Sequence, residues 1–156
     1  MPWRTAYLRQ ARSDYEMLLF LLPREIPLCH KLHYLQMTTE KLAKGFLTPP
    51  GGSEYAHTHN AFLKFVRVAQ LQPEIRAACG FKDGRQFRAF IDSLLPVVAA
   101  IEDLSPEGDV HPNPEYPWFA NLQVHSPLDH PFLELNPSSP RMIKLLQFIN
   151  ACFSIL

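Results

Sequence analysis

The sequence predicts an all-α fold, an antiparallel up-and-down bundle of four to five helices with a long proline-rich loop before the last helix. Three observations favour this fold. Apolar residues recur at three- and four-residue steps along most of the chain, which is the period of an amphipathic helix. No stretch shows a convincing two-residue period, and only a short extended piece at 121–125 is expected. Seven of the 15 prolines lie within residues 105–139, so this stretch cannot be helical throughout.

The second helix is the clearest element of the pattern. Leu28, Leu32 and Leu35 begin an apolar seam that continues to Phe46, and the run 49–52 (PPGG) ends it. The other helices are delimited in the same way by apolar spacing and by proline or glycine. The predicted helices are 5–22, 27–47, 56–79, 84–104 and 140–154, with the loop at 105–139, all in a single domain of residues 1–156. Within 56–79 the helix is expected to run to about Gln72, and 73–79 to form a further short turn of helix that stops at Gly80.

Helix ends are marked by capping residues. Asp83 is the expected N-cap of the fourth helix and Ser139 that of the fifth, because short oxygen-bearing side chains accept from the free N–H groups of a first turn. Pro140 suits the first position of the last helix. Pro96 lies inside the fourth helix, and we expect a kink there.

The loop at 105–139 carries too many large apolar residues for a free linker. Long loops without secondary structure are uncommon in compact domains and are often functional. We expect Trp118 and Phe119 to dock onto the helices, with the acidic residues Glu107, Asp109 and Glu115 left in water.

Charge is balanced overall but unevenly distributed. Residues 1–47 hold seven basic and four acidic residues, whereas 105–139 hold no Lys or Arg and five acidic residues. One interpretation is that the loop is solvated or lies on these basic helices. The other is that it controls access to a basic groove.

The three cysteines, Cys29, Cys79 and Cys152, are odd in number and form no C-x-x-C pair. Free thiols in apolar helical surroundings indicate a reducing compartment. No apolar run reaches the length of a membrane span, and the N-terminus does not resemble a secretory signal. We therefore predict a cytoplasmic protein with no membrane association.

Several short motifs resemble the HEPN domain, the nucleotide-binding helical bundle of higher eukaryotes and prokaryotes. The stretch 11–15 (ARSDY) is similar to its first helix, and 29–47 is similar to its second, including the run Glu40-Lys41-Leu42-Ala43-Lys44. The run 58–60 (THN) resembles the start of its third helix, and 115–118 (EYPW) resembles its RYP segment. The resemblance covers roughly residues 5–120.

This resemblance implies a bundle that is often a dimer. Some members of the family pair with nucleotidyltransferases, some act in toxin–antitoxin systems, and some are metal-independent ribonucleases with an R-x4–6-H motif on a late helix. Here the one Arg–His pair at that spacing is Arg24 and His30, at the junction of the first two helices with Pro27 between them, and Glu115 replaces the arginine of the RYP segment. Both departures argue against ribonuclease activity.

Each candidate binding residue has an ordinary structural alternative. Lys41 and Lys44 could contact phosphates or could belong to a solvated face with helical ion pairs. Tyr116 and Trp118 could stack on a base or simply anchor the loop. His33 and His59 complete the set of candidate ligand-binding residues.

The histidines do not predict a metal centre. His30 and His33 share one turn of the second helix, whereas His57 and His59 precede the third, a separation of roughly 20 Å in an antiparallel arrangement. A site formed by His30 and His33 with one of the loop histidines His111, His125 or His130 is geometrically open. Scattered, partly buried histidines are the more common explanation, and we expect neither a metal nor a cofactor. The leading hypothesis is a non-catalytic HEPN-like binding protein, homodimeric, with a nucleotide, RNA or protein partner such as a nucleotidyltransferase. The alternatives are a ribonuclease toxin and a structural or regulatory interaction protein.

Overall fold

The computed structural model describes residues 1–55, 60–104 and 112–156. These residues form mainly helices, which confirms the all-α class. The elements are α1 (Trp3–Leu21), α2 (Leu28–Leu47), α3 (Ala61–Ala69), α4 (Pro73–Ala78), α5 (Gly84–Glu102), β1 (Trp118–Ala120), β2 (Gln123–His125), a 3-10 turn (Leu133–Leu135) and α6 (Pro140–Ser154).

The first two helices, α1 and α2, form an antiparallel pair. Helix α1 ends just before Pro23, and Leu22 between them still has helical geometry at φ −52° and ψ −47°. Proline has no N–H to continue the helical hydrogen bonds, so the helix stops there. At the turn between them, the Lys31 ammonium donates to the Leu22 carbonyl at 3.0 Å. At the other end the helices almost touch: a Cβ placed on Gly45 would lie 2.6 Å from Cγ of Leu8. The absent side chain at Gly45 therefore allows the close approach.

The predicted helical segment 56–79 is divided at Pro73, and the further short turn of helix expected at 73–79 is α4. Helix α3 ends at Ala69 and α4 begins at Pro73, and Gln72 between them is extended at φ −98° and ψ 107°. Pro73 forces this break, since it disfavours helical geometry in the residue before it. The predicted start at 56 falls outside the described residues.

The predicted caps of the two C-terminal helices are confirmed. The Asp83 carboxylate accepts from the N–H groups of Arg85 and Gln86, and the Ser139 hydroxyl accepts from the N–H of Met142. Helix α5 runs through Pro96 as one element.

Helix α6 closes the bundle against α1. The Arg12 guanidinium donates to the Phe153 carbonyl at 2.7 Å, and the Tyr15 ring stacks on Phe153 with centroids 5.1 Å apart. The Tyr15 hydroxyl donates to the Leu146 carbonyl at 3.4 Å. Buried apolar residues from all six helices make up one core. Its largest fully buried aromatic side chains are Phe62, Phe87 and Phe148.

The described part of the loop carries a small hairpin. Strands β1 and β2 pair antiparallel, with Phe119 opposite Val124 and Trp118 opposite His125. Trp118 is buried at 6% exposure, but its ring contacts are with the loop residues His125, His130 and Phe132 and not with a helix. The expectation for Phe119 is wrong, because it is 53% exposed. Successive residues of a strand point to opposite faces, so only one of the two can face the bundle. Glu107 and Asp109 lie outside the described residues.

Among the helices of the described chain, none combines the length and apolar character that a membrane span requires.

Candidate functional site

Three candidate residues, His33, Tyr116 and Trp118, belong to the region where the loop meets α2. The His33 Nδ1 lies 2.7 Å from a carboxylate oxygen of Glu115, which ties α2 to the segment just before the hairpin. The buried Asn113 shapes this segment, because its side-chain oxygen accepts from the N–H groups of Glu115 and Tyr116 at 2.7 and 3.1 Å. The loop is thus positioned by polar contacts before the first strand begins.

Trp118 anchors the hairpin inside an aromatic cluster. Its ring stacks on His125 at 5.5 Å, meets His130 edge-on at 5.1 Å, and lies 6.4 Å from Phe132. Burial lowers the pKa of His130, and the nearby His125 lowers it further. With its ring covered on these sides, Trp118 cannot stack on a ligand unless the hairpin moves, so its anchoring role is the one that the structure supports.

The opposite face of the hairpin is apolar and open to solvent. Phe119 and Val124 lie side by side on it, and Val124 is 73% exposed. Leu122 at the turn is 90% exposed. Tyr116, just before β1, is also mainly exposed. We call these four exposed residues, two on the outer face of the strands, one in the turn and one before β1, the hairpin face.

The turn of the hairpin is conformationally unusual. Asn121 and Leu122 both have positive φ, 51° and 63°. A two-residue hairpin turn of type I′ needs positive φ at both central positions, for which Asn-Gly is preferred. A leucine there adopts a backbone conformation that L-residues seldom take outside Gly, Asn and Asp.

The two candidate lysines have carboxylate partners. Lys41 Nζ lies 2.6 Å from Asp14 of α1, and Asp14 also accepts from Gln10 at 3.1 Å. Lys44 pairs with Glu40 one turn earlier, and its side chain is only 6% exposed. Both cations are therefore already neutralised, and a phosphate would have to compete with these carboxylates.

The Tyr7 ring lies beside the second of these lysines, with Lys44 Nζ 5.9 Å from the ring centroid. Burial raises the pKa of the Tyr7 hydroxyl, and the carboxylate of Glu54 raises it further. Tyr7 therefore stays protonated at neutral pH, and a phenolate nucleophile is not formed there.

The two weak catalytic candidates are not brought together as a pair. The Arg24 guanidinium folds back over the Phe20 ring, 3.3 Å from its centroid, and donates to the Phe20 carbonyl. His30 lies on the first turn of α2 and is exposed. Within the described residues no hydrogen bond joins Arg24 to His30. His59 falls outside the described residues.

Other reactive groups offer little chemistry. In the ranges that the structure describes, no three His, Cys, Asp or Glu side chains gather as a metal site would require. Burial raises the pKa of all three thiols, that of Cys79 to about 11. Thiolates are the reactive form, so these cysteines are poor nucleophiles.

A cavity of about 270 Å³ lies between the C-terminal end of α5 and the 3-10 turn. Of the described residues, Asp103 and Glu134 are the charged ones that line it, and His130 and Phe132 form part of its wall. Two carboxylates repel phosphate, so this cavity does not suit a nucleotide.

No family model matches the chain, and no curated protein or solved structure is significantly similar to it. Sequence reasoning identified Tyr116 but missed Leu122 and Val124 of the hairpin face. If 118–125 is predicted to be a hairpin, the alternation of side chains along a strand places Phe119 and Val124 on the face opposite Trp118. That alternation could have indicated the two residues as exposed.

Proposed function

We propose that this chain is a non-catalytic binding protein that works as a two-fold homodimer, with the hairpin face as its interface. The observation that carries the proposal is the apolar hairpin face, held away from the bundle by an anchored Trp118. Exposed apolar groups clustered on a rigid element mark interaction surfaces more often than scattered ones do.

The size of the hairpin face fits a small interface. A large aromatic side chain buries roughly 150–250 Å² and each of the four residues is more than half exposed, so the face presents about 400–500 Å² per copy. Two copies would bury on the order of 1,000 Å², the low end of specific interfaces. We therefore expect a reversible dimer, whose population depends on concentration.

The charge of the segment is compatible with a second copy as the partner. Residues 116–128 contain no Lys, Arg, Asp or Glu. Two identical hairpins can therefore approach without like charges at the centre, where protein interfaces are depleted in charged residues. The exposed edges of a two-stranded sheet also offer backbone groups for pairing with a further strand.

The conformation of Leu122 supports the same proposal. A non-glycine residue at positive φ costs on the order of 1 kcal/mol or more. A glycine at position 122 would remove that cost and also the apolar side chain. Retention of a leucine, at 90% exposure, is explained if its side chain is buried in the dimer.

Light scattering through the micromolar range tests the proposal. We expect the wild-type mass to rise towards that of a dimer with concentration, and Leu122→Gly to remain monomeric while its monomer is at least as stable as the wild type. Phe119→Ser should behave in the same way. The matched control is Leu71→Ser, since Leu71 is 70% exposed between α3 and α4. A monomeric wild type, or a dimer that survives Leu122→Gly and Phe119→Ser, would overturn the proposal.

The resemblance described above suggests the partner of the dimer, and we propose a nucleotide, an RNA or a protein such as a nucleotidyltransferase. The paired states of Lys41 and Lys44 favour a protein partner over a phosphate ligand at α2. The ribonuclease alternative gains no support from the positions of Arg24 and His30.

A further inference from the structure

Two adjoining cavities lie at the end of the bundle where α1 begins. One, of about 390 Å³, is formed mainly by α2, α3 and α4. The other, of about 300 Å³, is formed mainly by α1. Arg4 and Leu156 belong to the walls of both, so the two cavities adjoin at these residues, and together they are called the groove. Each has the volume of a small-molecule site, roughly 300–1,000 Å³.

The α1 end of the groove is basic. Arg4, Arg9 and Arg12 all line the smaller cavity, together with Thr5 and Leu8. Among the residues that the structure describes, no Asp or Glu side chain lines it. Arg12 is already bonded to the Phe153 carbonyl, whereas half-buried Arg4 has no hydrogen-bond or ion-pair partner among residues 1–55, 60–104 and 112–156. A guanidinium that is partly withdrawn from water and unpaired is a ready binding group for an anion.

The other end of the groove is mainly apolar. Most side chains of the larger cavity are hydrophobic, and its polar members other than Arg4 are Gln72 and Glu74. Phe46, Phe65, Val68 and Ile75 are among its apolar lining residues. Glu74 is the one acidic side chain that the described part of the chain contributes to the larger cavity, and it does not line the smaller one. An occupant should thus place its negative charge at α1 and its apolar part against α2 and α3.

We propose that this groove binds a single-chain amphipathic anion, namely a medium-chain acyl carboxylate. The carboxylate would sit between Arg4 and Arg9, where a planar guanidinium can donate two parallel hydrogen bonds to it. The hydrocarbon chain would lie in the larger cavity, where removal of its CH₂ groups from water contributes about 0.8 kcal/mol each. None of the hairpin-face residues lines either cavity, so this site is independent of the proposed dimer.

Calorimetric titration with decanoate, below the concentration at which it forms micelles, tests the site. Acetate is the probe for the head group alone and 1-octanol the probe for an uncharged chain. We expect saturable one-site binding of decanoate and no detectable binding of acetate. Binding of decanoate should be at least about tenfold weaker in Arg4→Gln/Arg9→Gln, as expected for lost charged hydrogen bonds.

The matched control is Arg85→Gln/Arg88→Gln. These arginines line a separate cavity of about 400 Å³ on α5, so the same change in net charge is made away from the groove. This double variant should bind decanoate like the wild type. A second test fills the apolar end: Val68→Trp should weaken decanoate binding, with circular dichroism used to verify the fold.

Three results would overturn the proposal. One is the absence of saturable decanoate binding to the wild type. Another is 1-octanol binding as tightly as decanoate, since the arginines would then contribute nothing. The third is an equal loss in the two arginine double variants, which would indicate a general charge effect. None of these results depends on the mass measured by light scattering, so failure of this site and failure of the dimer can be told apart.

Discussion

Gly45 shows how one missing side chain sets the distance between two helices. In an exposed helix, Gly→Ala stabilises by roughly 1 kcal/mol. Here the added Cβ would lie 2.6 Å from Leu8 Cγ and 3.4 Å from the Leu8 backbone nitrogen, and overpacking of this kind typically costs about 1–3 kcal/mol. We predict that Gly45→Ala lowers the urea midpoint of unfolding, and that Leu8→Ala in the same chain removes part of the loss.

The control for this prediction is Gly84→Ala at the start of α5. There the nearest atom to an added Cβ is Arg76 Nη1 at 3.4 Å, the end of a flexible side chain. This variant should be as stable as the wild type or more so. A Gly45→Ala protein with unchanged or increased stability would show that α1 and α2 can move apart without cost.

The cysteine thiols should be unreactive in the folded protein. Burial raises the pKa of Cys79 from 9.0 to about 11, so at a given pH below both values its thiolate fraction is about a hundredfold smaller, because each pKa unit is a factor of ten. Burial raises the pKa of Cys29 and Cys152 as well. We predict slow reaction with a thiol-specific disulfide reagent near neutral pH, and fast reaction of all three cysteines in urea. Rapid labelling of any cysteine in the native protein would contradict this.

At the scale of the element, the hairpin depends on one side chain. Trp118 is buried among His125, His130 and Phe132, and full burial of such a residue contributes roughly 2–3 kcal/mol. Trp118→Ala should lower thermal stability and make the loop sensitive to limited proteolysis. Leu133→Ala is the control, because Leu133 belongs to the same loop and is 81% exposed. If both variants resist protease like the wild type, Trp118 is not the anchor.

The bounds of long elements could be predicted from the sequence, whereas the short strands could not. Long helices repeat their apolar spacing several times, so α2 and α6 begin and end within one residue of the predicted bounds. The strands have three residues each, too few to establish a two-residue period, and their turn is Asn-Leu in place of the Asn-Gly that usually reveals a hairpin. Only 121–125 was therefore expected to be extended.

The candidate site was predictable only where its contacts are local. The pairing of Lys44 with Glu40 follows from the four-residue spacing. The partner of Lys41 is Asp14 on another helix, 27 positions earlier, and no local pattern indicates which helices face each other. The contact between His33 and Glu115 spans 82 positions for the same reason.

For the whole molecule, the arrangement of arginines and histidines predicts no catalysis on RNA. Arg24 is held over Phe20, and in the described part of the chain it has no contact with His30. We predict no metal-independent cleavage of a fluorescent RNA in the presence of a chelator. Arg24→Ala and His30→Ala should then match the wild type. Cleavage by the wild type that disappears in either variant would promote the ribonuclease alternative.

The contacts between α1 and α6 have a consequence for how the chain acquires its structure during synthesis. Arg12 and Tyr15 meet backbone carbonyls that lie 141 and 131 positions further along the chain. The α1–α2 pair can form as soon as it leaves the ribosome, because its contacts are close in sequence, whereas contacts distant in sequence form late. One apolar side of α1 therefore stays exposed to solvent until α6 has been translated. Nascent chains paused before α6 should expose that side to chaperones, and release of α6 should end the exposure in a single step.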